Sequence, residues 1–99
     1  MSYEGEKMIK KAFVKVMLKE EVLDSQGKAV LSVLKSSGYN NVKDVRIGKY
    51  IELTIDLDIL NKSAEGKTYT MEEEIEEISG KILSNPLIEE FNIEIKNKK

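Results

Sequence analysis

The sequence predicts one α+β domain in which two helices cover one face of a four-stranded antiparallel sheet, in the order β-α-β-β-α-β. Three observations carry that expectation. Ala12 to Lys19, Asp44 to Asp56 and Phe91 to Lys96 alternate apolar and polar side chains at period two, as half-buried strands do. Met71, Ile75, Ile78 and Ile82 step by four, three and four, the stripe of an amphipathic helix. Ala29, Val30, Val33 and Leu34 make a second stripe of that kind.

Taken in order, residues 1–11 are polar and charged and read as a flexible tail, followed by a single domain over 12–96 and a short tail over 97–99. The first strand sets Val14, Val16 and Leu18 on one side and Phe13, Lys15, Met17 and Lys19 on the other. Asp24 is a good N-cap, because its carboxylate can accept a bond from a free backbone N–H of the first turn. The first helix then runs to about Ser37. Gly27 inside it costs ~1 kcal/mol of helix propensity relative to alanine and marks close packing against a neighbour. Gly38 is the expected left-handed stop.

Asp44 to Asp56 reads as a hairpin at the middle of the sheet. Gly48 can take a positive φ without steric cost. A two-residue Gly48-Lys49 turn would place the two apolar sets on opposite faces. A loop over Gly48 to Tyr50 sets Ile47 opposite Ile51 and Val45 opposite Leu53, so an odd loop or a bulge is expected. Leu57 to Tyr69 is rich in loop formers. Thr70 and Glu73 have the spacing of a capping box, and five glutamates between Glu72 and Glu77 crowd the favourable end of the second helix dipole. Pro86 stops that helix by restricting Asn85. Phe91, Ile93 and Ile95 then face inward in the last strand. With right-handed crossovers the whole is the ferredoxin-like split β-α-β fold.

Composition narrows the function. The 99 residues include no cysteine and no histidine. These absences remove thiolate chemistry, the usual zinc ligands and the usual general base at neutral pH. No catalytic residue, metal site or cofactor site is expected. Charged residues make up 34% of the chain yet nearly cancel at −2, which favours neither nucleic acid nor an anionic membrane as partner. No apolar run is long enough to span a bilayer and the start lacks a signal-peptide core, so a soluble cytoplasmic protein is expected.

The residues that attract attention also have plain readings. The Glu72 to Glu77 run lines an exposed helix start, whereas a cation site needs carboxylates converging on a point. Gly48-Lys49 lies between strands and lacks the longer loop of a phosphate-binding turn. Arg46 reads as a cross-strand partner of Glu52 or Thr54. The open sheet face mixes Phe13, Met17 and Tyr50 with Lys15, Lys19, Arg46, Glu52 and Glu94. That mixture suits a protein-docking surface and an ordinary wet face equally. Glu52, Thr54 and Asp56 speak against RNA there.

Four segments together resemble the PurS family: VLDSQGKAV (Val22 to Val30), Gly38-Tyr39, DVRIGKYIELT (Asp44 to Thr54) and NPLIEEF (Asn85 to Phe91). The resemblance runs from about Phe13 to Ile95. Ser25 stands where the family commonly has proline, and the tail before Ala12 is longer than usual. What the resemblance implies is a small, non-catalytic subunit of phosphoribosylformylglycinamidine (FGAM) synthase, a glutamine-dependent ligase of purine synthesis. The glutaminase PurQ releases ammonia, and PurL consumes ATP with magnesium. The small subunit bridges the two, assists ammonia transfer and forms a homodimer or homotetramer. Arg46, Lys49 and Tyr50 are the candidate partner contacts. The rival readings are an amino-acid sensor of the ACT type, which shares the element order, and an acylphosphatase, which would need a phosphate-cradling arginine loop that Lys19 to Asp24 lacks.

Overall fold

The computed structural model describes residues 8–59, 61, 66 and 68–97. Its strands are β1 (Ile9–Leu18), β2 (Gly48–Asp56) and β3 (Glu89–Asn97). Its helices are α1 (Ser25–Ser36) and α2 (Met71–Ile78), and α2 continues as a wide π turn over Ser79–Leu83. β1 lies in the centre and pairs antiparallel with both neighbours. Val14 faces Ile51 on one side and Ile93 on the other, so every apolar set shares one face. Ile9, Lys10 and Lys11, which the sequence assigned to the tail, pair with Asp56, Ile55 and Thr54.

The core sits between that face and α2. Ala12, Val14, Val16 and Ile75 are fully buried, and Met71, Leu83, Phe91, Ile93 and Ile95 pack around them. The capping box forms as its spacing predicts: Glu73 N–H donates to Thr70 Oγ1 and Thr70 N–H donates to the Glu73 carboxylate. The stripe fails at its last member. The π turn holds one more residue than an α turn would, so Leu83 reaches the core and Ile82 points outward, 75% exposed.

One further expectation is met in part and another is corrected. The described residues form three strands, and the segment over 42–47 pairs with none. No hairpin loop exists at Gly48 to Tyr50; these residues open β2 and pair with Met17, Val16 and Lys15. Gly48 has no positive φ. It is glycine because a Cβ there would meet the Val16 carbonyl at 2.4 Å and the Met17 sulfur at 2.1 Å.

α1 ends where predicted. Gly38 has φ of 98°, its N–H donates to Lys35 O, and Tyr39 N–H donates to Leu34 O, a Schellman pair of bonds. The helix nevertheless stands clear of the sheet. Gly27 is its only buried residue, and none of its side chains joins the core. The molecule is therefore long and flat. Its Cα extents are 59 × 35 × 15 Å and its radius of gyration is 18.6 Å, against about 13 Å for a compact domain of 100 residues.

Candidate functional site

Two regions present functional groups: the root of α1 and the open face of the sheet. At the root, Asp24 does two jobs. One carboxylate oxygen accepts the Gly27 N–H at 2.8 Å and caps α1; the other accepts the Ile47 N–H at 2.8 Å. The Ile47 and Gly27 bonds, with Arg46 and Lys28 nearby, hold the Asp24 carboxyl below the usual range. Gly27 packs so closely on the returning chain that a Cβ would lie 2.2 Å from the Val45 carbonyl oxygen. Arg46 Nη2 donates to the Leu18 carbonyl at the end of β1. The segment over 42–47 is thus tied to α1 through the Ile47 N–H and to β1 through the Arg46 guanidinium.

A shallow cleft of about 330 Å³ opens beside this root, between Glu20, Glu21, Leu23 and Asp24 on one side and Asp44 and Arg46 on the other. Its rim carries both signs of charge.

On the open face, Tyr50 stacks on Phe13 with ring centroids 5.6 Å apart and planes 12° from parallel. Lys96 Nζ stands 5.5 Å from the Phe13 ring centre. Lys11 pairs with Glu52. The predicted membership of this face holds for Phe13, Lys15, Met17, Tyr50, Glu52 and Glu94, which follow from the register. Arg46 leaves it: its guanidinium goes to Leu18 O, and Glu52 takes Lys11 instead.

The three candidate contacts are therefore not one cluster. Tyr50 is on the open face and 60% exposed. Lys49 sits opposite Val16, on the helix-covered face, at its exposed end near Leu23 and Gln26. Arg46 is half-buried at the root. Sequence reasoning saw Asp24 as a cap but missed its second role on Ile47. No local pattern signals a bond between residues so far apart in the chain.

The glutamates of α2 behave as a solvated helix start. Glu77 pairs with Lys81 at 2.6 Å and also accepts the Tyr69 hydroxyl; these bonds, Lys81 first, lower its carboxyl pKa. Among the described residues no three carboxylates are grouped to hold a metal ion, and no helix is long and apolar enough to cross a membrane.

Comparison with known proteins adds a consistent set of likenesses. The family described as PurS: Phosphoribosylformylglycinamidine (FGAM) synthase matches residues 11–97. The phosphoribosylformylglycinamidine synthase subunit PurS of Bacillus subtilis (strain 168) is 44% identical over 90 residues, covering 86% of this chain and 90% of that protein. The crystal structure of Bacillus subtilis PurS in a C2 form superposes with a TM-score of 0.73 at 43% identity, over 89% of this chain and 99% of that one. A chain of the PurLQS structure from Thermotoga maritima, 24% identical, shares the fold with a TM-score of 0.70 over 89% of this chain and 98% of its own.

Proposed function

The chain belongs to the PurS family of phosphoribosylformylglycinamidine synthase subunits, and from that premise we propose that it works by contact and shape within the synthase. It is a subunit of an FGAM synthase in purine biosynthesis, as its relatives are named. We read it as the connector between a glutaminase of the PurQ kind and a synthetase of the PurL kind. In that role it helps carry ammonia from one to the other, while ATP and magnesium are used by the large subunit. Released into water, ammonia would be diluted and largely protonated. Enclosure keeps it neutral and raises its effective concentration at the acceptor.

One observation supports the contact role above the others. Large apolar side chains face outward: Val33, Tyr50, Ile82 and Leu87 are each at least 60% exposed. Apolar surface of that kind belongs against protein. The ACT-type sensor finds no support, because the likeness to PurS runs through residues 11–97. The four-stranded ferredoxin-like form enters this proposal too. The segment over 42–47, which joins no strand ladder within the chain, would supply a fourth strand along the free edge of β2 in a second copy, making a homodimer the working unit.

Reconstitution tests the reading. Glutamine-dependent FGAM formation by purified PurL and PurQ, with glutamine and Mg-ADP present for assembly, should require this chain. It should fall when Arg46, Lys49 and Tyr50 are all changed to alanine. Full glutamine-dependent turnover without the chain would refute the connector role. Normal turnover with the triple variant would remove those three residues from the interface.

A further inference from the structure

We infer that the end of α2 is a two-register element. In the register seen here the π turn faces Leu83 toward the core. Rewound by one residue into an α turn, the same segment faces Ile82 inward in its place. The inference concerns this chain alone and does not rest on the connector reading.

Four observations lead there. The first is a pair of rivals for one place. Met71, Ile75 and Ile78 set an α stripe whose next member is Ile82. Yet Ile82 is 75% exposed, and Leu83 packs against the core. Two aliphatic side chains of like volume thus stand side by side in the chain, each suited to one winding. The second is Gly80. It has no positive φ, and a Cβ there would meet only the Phe91 ring, at 3.7 Å, an ordinary contact. Neither conformation nor space demands glycine, whose effect here is to weaken the α winding so that the π winding competes. The third is a clamp. Ser84 Oγ donates to the Ser79 carbonyl at 2.8 Å, across the five residues of the turn. That bond fits the π winding, because an α turn brings a different pair of groups together. The fourth is slack. Residues 85–88 are all exposed, and they absorb a shift of one residue before the Ile88 carbonyl, which accepts the Lys19 N–H at 2.8 Å. The register has a surface consequence. Ile82 lines a cleft of about 350 Å³ with Tyr69, Ile78 and Lys81. Rewinding withdraws Ile82 from that wall without unfolding the helix.

A substitution cycle on the chain alone tests this. Urea midpoints are compared at low concentration for Ile82→Ala, Leu83→Ala and the double variant. Ile82→Ala should leave the midpoint where it is, since that side chain is exposed. Leu83→Ala should lower it only slightly, because Ile82 turns into the vacated place. The double variant should fall by at least about twice the sum of the single shifts, since no aliphatic side chain is left to fill the gap. Isoleucine methyl NMR reads the register directly. In Leu83→Ala the Ile82 δ1 methyl should move upfield and show a nuclear Overhauser effect to the Phe91 ring, on which the turn lies. In Ser84→Ala, which keeps both aliphatic side chains, the same methyl should move part of the way, the averaged signal of two registers. Additive midpoints, or a methyl that keeps its exposed position in either variant, overturn the inference.

Discussion

The two helices of this chain have nearly the same kind of apolar stripe and opposite fates. α2 buries Ile75 completely against Val14 and Val16. α1, longer by four residues, buries only a glycine. Amphipathicity therefore says that a helix has a face to hide, not where the hiding place is. For α2 the place is within the chain. For α1 the described residues provide none, and what fixes the helix in this chain is the polar root at Asp24 and the close contact at Gly27.

The contrast can be broken most sharply in the core. Ile75→Ala should lower unfolding free energy by about 2–5 kcal/mol, as buried isoleucine truncations do. Val33→Ala should change it by no more than about 0.5 kcal/mol in dilute, monomeric samples. Urea titrations of both at low concentration make the comparison. A large loss for Val33→Ala there would place α1 on its own sheet. Next in size, Gly27→Ala should cost about 1–3 kcal/mol, because the new methyl group collides with the Val45 carbonyl and not with any core side chain. Measured by the same titration, a neutral result would mean that the root is loose. Thr70→Ala should cost about 1 kcal/mol by removing half of the capping box.

The smallest effect is read from the pH dependence of stability. Asp24 has a folded pKa lowered from its ordinary value of 3.8. Its contribution is therefore present above about pH 4 and is lost as pH falls through the lowered folded value. Between pH 5 and 8 it should contribute no slope. Asp24→Asn should flatten the acid limb of a stability–pH curve, and an unchanged limb would show that the Ile47 tether does not matter.

Much of this was legible in the sequence. The strand alternation, the Gly38 stop and the Thr70–Glu73 box are local, and local physics decided them. Two features were not. The apolar residues Val45, Ile47, Ile51, Leu53 and Ile55 keep one parity straight through Gly48, which is the pattern of a single extended run. Reading Gly48 as a turn put a hairpin there, whereas its missing side chain serves a close approach to β1. That unbroken parity was the available signal. The π turn had none: nothing about Ser79 or Gly80 announces that Leu83 will replace Ile82 in the core. At the site, exposure of Tyr50 followed from alternation, but the Arg46 bond to Leu18 depends on where the chain returns after α1 and is set only by the tertiary path.

The clamp on Asp24 and Gly27 has a geometric consequence. A projection held at one angle gives every molecule the same reach and the same bearing. Two such molecules facing each other across a two-fold axis satisfy both projections at once and leave none to recruit a third. A head-to-tail contact made at the same fixed angle would instead close into a ring or run on as an open filament. The angle fixed at one aspartate thus sets which of these contacts can close.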